Sequence, residues 1–141
     1  YRKNAYNFNL AYLYFTQQNY DEALLLLRKL NFENVFYQIN AKILQLKIFY
    51  ELKELNWLLS FLESFRLFLI RNKKVSSSRI KMTLNYVQYT RKFVQILHSK
   101  ELIRREKYQN NLEKLKVELL DTEVPMINKK WLLENLEKVL L

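Results

Sequence analysis

The chain has 141 residues, a length that suits one domain with a core of its own. It contains no glycine and no cysteine, which excludes glycine-rich phosphate loops, disulfides and cysteine-bound zinc. Half of the residues are hydrophobic and the formal net charge is +10, a balance that indicates a folded protein able to attract anionic partners.

Apolar residues at helical spacing predict seven helices separated by short breaks. They cover about residues 3–16, 20–30, 35–52, 55–71, 79–98, 101–120 and 128–140. The loop at 72–78 ends in three serines, and a serine hydroxyl can cap the helix that follows it. A linker containing Pro125 is predicted at 121–127. The many leucine, lysine, glutamate and glutamine residues favour an all-α fold.

The first two helix pairs repeat one apolar pattern at a spacing of 35 residues. The first pair contributes Ala11, Leu13, Tyr14, Tyr20, Ala23, Leu24, Leu26 and Leu27. The second pair contributes Leu46, Ile48, Phe49, Leu55, Leu58, Leu59, Phe61 and Leu62. This spacing is close to the ~34 residues of a helix-turn-helix solenoid repeat. Because one pair cannot bury its own apolar face, stacking is the physical reason for the repetition.

At these residues the chain resembles the tetratricopeptide repeat (TPR) family, whose signature is W-x2-L-G-x2-Y, then A-x3-F, then P. In the first repeat the L, G, Y, A and F positions are taken by Leu10, Ala11, Tyr14, Ala23 and Leu27. In the second repeat the G, Y, A and F positions are taken by Leu46, Phe49, Leu58 and Leu62. Asn7 and Val35 depart from the Trp and Pro positions. The resemblance covers residues 4 to about 70.

We therefore expect an all-α, TPR-like solenoid of about three antiparallel helix pairs with a short C-terminal capping helix. The pairs are placed at about 3–31, 35–71 and 79–120, in a single helical-repeat domain over residues 1–141. The fifth helix should bury a stripe formed by Ile80, Leu84, Val87, Val94 and Leu97 and widened by Met82, Tyr86, Tyr89, Phe93 and Ile96. The chain opens at Tyr1 inside an amphipathic pattern, so we expect it to be a fragment of a longer protein.

The TPR family binds ligands in a groove lined by one face of the first helix of each pair. Carried over by position, the groove consists of Phe8, Tyr12, Phe15 and Thr16, followed by Ile43, Lys47, Tyr50 and Glu51. Three aromatic residues on one helical face would make a strong contact surface for a protein or peptide. The alternatives are that the last helix, an upstream repeat or a second copy of the chain covers this face. A terminal-carboxylate clamp is not implied, because Phe8 and Tyr12 stand where polar clamp residues would be.

The sequence offers little material for an active site, and no enzyme, cofactor or metal is expected. His98 is the single histidine, so no second imidazole completes a metal site. The stretch from Trp57 to Ile70 is interrupted by polar and charged residues, so no membrane span is expected. No signal peptide is visible, but this means little for a chain that we expect to be a fragment. The compartment stays undetermined, with the cytoplasm favoured.

The positive charge is concentrated in residues 64–108, which hold twelve lysines and arginines against two acidic residues. Candidate anion-binding residues are Arg71, Lys73, Lys74, Arg79 and Lys81. A composition rich in lysine on solvated helix faces explains the same charge without any ligand. The sequence thus predicts a protein–protein interaction scaffold with an unknown partner, and the alternative is nucleic-acid or other polyanion binding through residues 64–108.

Overall fold

The computed structural model describes residues 2–72, 77–121 and 123–140 of the chain. Its regular structure there is helical throughout, which confirms the all-α prediction. The helices are α1 (Arg2–Thr16), α2 (Tyr20–Arg28), α3 (Val35–Glu51), α4 (Leu55–Arg71), α5 (Ser77–His98), α6 (Arg105–Leu120) and α7 (Lys129–Leu140). Tertiary contacts divide the chain into two compact units, residues 1–58 (unit 1) and residues 59–141 (unit 2), with the boundary inside α4.

Unit 1 is built from the first three helices and the start of α4. The α2 helix packs against both α1 and α3, and α1 also contacts α3. Ala11 on α1 and Ala23 on α2 are both fully buried, so a small residue occupies the packed face of each helix. Leu46 and Ile48 on α3 are fully buried as well. Small residues at such positions allow two helix backbones to approach closely.

One turn geometry occurs twice in unit 1, at a spacing of 35 residues. After α1, the amide of Gln18 donates to the Phe15 carbonyl and the amide of Asn19 donates to the Tyr14 carbonyl. After α3, Lys53 donates to Tyr50 and Glu54 donates to Phe49 in the same pattern. This pair of bonds is a Schellman motif, which satisfies carbonyls at a helix C-terminus and requires a left-handed residue. The internal repeat therefore extends from the apolar pattern to the backbone of the turn.

Because the chain lacks glycine, ordinary side chains occupy these left-handed positions, with φ of 62° at Gln18 and 59° at Lys53. An L-residue in this region costs about 1–2 kcal/mol, which glycine does not incur. We expect Gln18→Gly to raise the free energy of unfolding by about 0.5–1 kcal/mol, after allowance for the greater freedom of the unfolded chain. Lys53→Gly should raise the free energy of unfolding by less, because it also removes the contact of the Lys53 ammonium with the Tyr50 ring, whose centroid is 4.1 Å away.

Chemical denaturation of the full chain measures these changes. The matched control is Gln17→Gly, since Gln17 is also exposed but its φ is not positive. That variant should lower the free energy of unfolding through backbone entropy alone. A stability loss of the same size in Gln18→Gly as in Gln17→Gly would contradict the Schellman assignment.

Unit 2 is built from the remainder of α4 and from α5, α6 and α7, the last three of which contact one another pairwise. Its core contains Phe65, Leu69, Ile80, Tyr86, Phe93, Leu112, Leu119, Leu132 and Leu136, each at most 1% exposed. The segment before α7 is fixed to α5, because the Asn85 Nδ2 donates to the Pro125 carbonyl at 2.8 Å. The amide of Ile127 also donates to the Met82 carbonyl at 3.5 Å.

The buried face of α5 runs through two threonines that the predicted stripe omits. Thr83 and Thr90 are fully buried, whereas Leu84 and Leu97 of the stripe are half-buried. The Thr83 hydroxyl donates to the Arg79 carbonyl at 2.8 Å, so its polar atom is satisfied locally. The Tyr86 hydroxyl and the Thr90 Oγ1 have no hydrogen-bond partner among the described residues. Burial strongly raises the pKa of the Tyr86 phenol.

Candidate functional site

An apolar cavity of about 280 Å³ opens on unit 1 between α1 and α3. It is lined by Ala5, Phe8 and Asn9 from α1, by Phe32 from the α2–α3 loop, and by Tyr37 and Asn40 from α3. The volume lies just below the range of about 300–1,000 Å³ that is typical of drug-sized ligands. A space of this size is large enough to receive one large side chain.

The α2–α3 loop is held in place by two side-chain amides, one from α1 and one from α3. The Asn4 Nδ2 on α1 donates to the Asn31 carbonyl at 2.8 Å, and the Asn31 amide donates back to the Asn4 Oδ1 at 3.5 Å. The Gln38 Nε2 on α3 donates to the Phe32 carbonyl at 2.6 Å. These bonds hold the backbone on both sides of Phe32, so the position of its ring depends on α1 and α3.

The start of α3 is set by Asn34, which acts as the N-cap. Its Oδ1 accepts from the amide of Phe36 at 2.8 Å and from the amide of Tyr37 at 3.4 Å. Such a cap satisfies amides of the first turn that have no partner within the helix. As a result Tyr37 projects from the first turn of α3, at the edge of the cavity.

Three aromatic rings form a continuous wall of the cavity. The Phe8 and Phe32 ring centroids are 6.4 Å apart with their planes at 71°, an edge-to-face contact. The Phe32 and Tyr37 centroids are 5.5 Å apart at 49°. Phe8 and Phe32 are half-buried, and Tyr37 keeps 45% of its surface exposed. All three rings thus keep part of their surface accessible, where another aromatic ring could pack edge to face or in an offset stack.

A second cavity, of about 360 Å³, shares Phe32 as a wall and is predominantly polar. It lies between α2 and α3 and is lined by Leu27, Arg28, Leu30, Asn31, Phe32, Gln38, Ala41, Lys42 and Gln45. Two of these residues are cationic and none is acidic. Burial lowers the pKa of the Lys42 ammonium, because a half-buried cation loses hydration.

The residues carried over from the TPR groove fall into separate places within unit 1. Phe8 lines the apolar cavity. Tyr12, which is 53% exposed, contacts Phe15 at a centroid distance of 6.3 Å. Phe15 in turn contacts Tyr20 of α2 at 5.9 Å, so this aromatic pair continues toward the α1–α2 turn. Thr16 is exposed and donates its hydroxyl to the Leu13 carbonyl.

The α3 members of that groove are mostly covered. Ile43 and Tyr50 are 9% and 2% exposed, so they belong to the core of unit 1. Seven residues of α3 are buried, whereas Ala11 is the one buried residue among those described on α1, so α3 keeps a narrower free face. Lys47 is half-buried, and burial lowers the pKa of its ammonium. Glu51 is half-buried at the end of the helix.

Of the site residues that the sequence did not indicate, Phe32 is the most informative. A phenylalanine inside the short polar break at 31–34 has no helix face to pack on, so its presence there was an available signal. Tyr37 and Asn40 were harder to identify, because their place at the cavity depends on where α3 begins. That start is set by the N-cap residue Asn34.

The candidate anion-binding residues of the basic segment are only partly described. Arg71, Arg79 and Lys81 are exposed, and the Arg71 Nε donates to the Leu67 carbonyl at 3.3 Å near the end of α4. Lys73 and Lys74 lie outside the described residues, as does Ser76 of the predicted serine cap.

Part of the positive charge of unit 2 is neutralised internally. Glu63 accepts hydrogen bonds from the Arg66 Nε at 3.0 Å, the Arg66 Nη2 at 2.7 Å and the Arg91 Nη1 at 2.9 Å. Glu118 pairs with Lys92 at 3.4 Å. Three of the cations counted in residues 64–108 are therefore already paired with carboxylates, which weakens the field available to a polyanion.

These hydrogen bonds, mainly those from Arg66, hold the pKa of the Glu63 carboxyl below its usual value of 4.5. Because the folded-state pKa is depressed, these hydrogen bonds stabilise the folded chain above about pH 4.5, and this stabilisation is lost as the pH falls through the folded-state pKa.

We expect a carbon-13 NMR titration to show that Arg66→Gln raises the pKa of Glu63 more than Arg91→Gln does. The control is Lys107→Gln, which removes a positive charge outside this cluster and should leave the pKa of Glu63 unchanged. An equal effect of all three variants would contradict the conclusion that Arg66 mainly lowers this pKa.

Within residues 2–72, 77–121 and 123–140, no group of three histidine, aspartate or glutamate side chains is placed to hold a metal ion. The described helices also include none that is long and apolar enough to cross a membrane. Comparison with known proteins finds no matching family model, no matching curated protein and no matching solved structure.

Proposed function

We propose that this chain is a non-enzymatic, TPR-like protein-binding module, and that a partner protein inserts a side chain into the apolar cavity between α1 and α3. The observation that carries the proposal is the locked aromatic wall of Phe8, Phe32 and Tyr37 around about 280 Å³ of open space. Large aromatic contacts in a fixed pocket provide much binding energy at a small entropic cost.

The repeat character of the module is supported by features of unit 1 that recur at the same spacing. The Schellman turns at Gln18 and Lys53 are 35 residues apart, as are the apolar positions of the sequence pattern. The buried pair of Ala11 and Ala23 matches the small residues of the TPR signature. A solenoid of such pairs exposes the first helix of each pair along one side, and the cavity lies between two such helices, α1 and α3.

A photo-crosslinking experiment tests the proposed site. We would replace Tyr37, at the edge of the cavity, with p-benzoyl-L-phenylalanine in the full chain and irradiate it in nuclease-treated cell extract. The matched control carries the same residue at Val117, which is 69% exposed on α6. We expect discrete protein adducts at position 37 that disappear when Ala5→Trp fills the cavity. Equal adducts at both positions, or adducts unaffected by Ala5→Trp, would contradict the proposal.

Polyanion binding through residues 64–108 is the second candidate, favoured by the exposure of Arg79 and Lys81 on the first turns of α5. The pairing of Glu63 with two arginines makes it the weaker one. We expect fluorescence anisotropy with a labelled single-stranded oligonucleotide to show weak binding that falls steeply with salt, because each neutralised phosphate releases counterions. Changing Lys73, Lys74, Arg79 and Lys81 to glutamate should abolish it. Tight binding that persists at physiological salt would reverse the order of the two candidates.

A further inference from the structure

The two cavities of unit 1 are adjacent, because a single side chain, Phe32, belongs to the lining of both. On one side of this ring the lining is mainly apolar, and on the other side it is mainly polar. A ligand that follows the surface past Phe32 therefore meets an apolar space and then a polar one. An extended residue spans about 3.3 Å, so neighbouring residues of one peptide can reach both spaces.

The charged side chains that line the two cavities are cationic. Arg28 and Lys42 line the polar cavity, and no acidic residue is among the described lining residues of either cavity. Outside the lining the charges are mixed, because α1 and α3 carry Arg2, Lys3 and Lys47 against Glu51, while α2 and the loop add Asp21, Glu22 and Glu33. A carboxylate placed in the polar cavity would be attracted by Arg28 and Lys42, the two cations of its lining.

We propose that the segment bound by unit 1 is an acidic peptide in which one large apolar side chain is flanked by aspartate or glutamate. The apolar side chain occupies the cavity of Phe8, Phe32 and Tyr37, and a carboxylate one to three residues away binds on the Arg28 and Lys42 side of Phe32. This inference rests on the proposed function, because it names the chemistry of the partner at the same site.

Selection from a library of random dodecapeptides displayed on phage, against the immobilised full chain, tests the inference. We expect the enriched peptides to share a Trp, Phe or Leu within three residues of at least one Asp or Glu, and to bind less tightly as salt rises. Enrichment of apolar peptides without acidic residues, still lost in Ala5→Trp, would overturn this inference and leave the proposed function standing. If Ala5→Trp leaves the binding of every enriched peptide unchanged, both the proposed function and this inference are contradicted.

Charge-neutralising variants separate the contribution of the cations from that of the fold. Arg28→Gln and Lys42→Gln should each weaken a selected acidic peptide at least threefold, while a matched peptide with Asn and Gln in place of Asp and Glu should bind both variants and the unmodified chain equally. Lys29→Gln is the control, because Lys29 is exposed and follows Arg28 without lining either cavity. An equal loss in Lys29→Gln would show that overall charge rather than the polar cavity selects the peptide, and would overturn the proposal.

Discussion

Replacing Ala23 with leucine should lower the free energy of unfolding by about 1–3 kcal/mol, because added methylene groups in a packed core force side chains and backbone apart. Ala23 is fully buried on α2, a helix that packs against both α1 and α3. If the TPR-like register is correct, the small residue sets the distance between α1 and α2.

The opposite substitution is informative at Leu58, which is also fully buried and lies at the equivalent position 35 residues later. Leu58→Ala should leave a cavity there and lower the free energy of unfolding by about 2–5 kcal/mol.

The same substitution at an exposed alanine provides the control for Ala23→Leu. Ala5 on α1 is exposed, and Ala5→Leu should change the free energy of unfolding by no more than about 0.5 kcal/mol. Urea denaturation followed by circular dichroism measures all three variants. Equal midpoints for Ala23→Leu and Ala5→Leu would contradict the close α1–α2 contact at Ala23.

Removing the aromatic wall of the apolar cavity should weaken a selected peptide at least tenfold, which corresponds to about 1.4 kcal/mol. Phe8→Ala deletes the α1 side of the wall, which contacts Phe32 edge to face. Ala5→Trp acts in the opposite sense, since it fills the space instead of enlarging it. Because Phe8 is half-buried and Ala5 is exposed, Ala5→Trp is the variant that perturbs the fold less. Both variants should raise the dissociation constant, measured by isothermal titration calorimetry.

Tyr6→Ala is the matched control for this series. Tyr6 lies next to Ala5 on the same helix, is 66% exposed and does not line the cavity. It removes an aromatic ring of similar size from α1 without touching the wall, so its effect on peptide affinity should be within twofold. A loss as large as that of Phe8→Ala would indicate that the outer face of α1, and not the cavity, binds the peptide.

The helices of this chain could be predicted from its sequence to within a few residues. The starts predicted at residues 20, 35 and 55 are those observed, because short polar breaks precede uninterrupted apolar patterns at these places. The largest difference is at α6, which was expected from residue 101 and begins at Arg105. Residues 99–104 form a turn instead, in which the Ser99 hydroxyl donates to the Ile96 carbonyl and the Leu102 amide donates to the Ser99 carbonyl. Local hydrogen bonding of this kind competes with the helix and leaves no trace in hydrophobic periodicity.

The candidate site could be predicted only in part, because it depends on contacts between distant residues. Phe8 was identified from its helix position, but its partner Phe32 is placed by Asn4, which lies 27 residues before Asn31 in the chain. Periodicity assigns a residue to a face of its own helix and gives no information on such a bond. For the same reason periodicity assigns Tyr50 to an open groove, whereas the folded chain leaves only 2% of its surface exposed.

We propose that a protein partner binds the aromatic cavity between α1 and α3. The most direct measurement is a titration of the nitrogen-15-labelled full chain with a phage-selected peptide, followed by two-dimensional amide NMR. We predict that the largest shift changes fall on the amides of Ala5, Phe8, Asn9, Phe32, Tyr37 and Asn40, which line the cavity. Shift changes concentrated instead on α5 and α6, with these six amides unchanged, would contradict the claim.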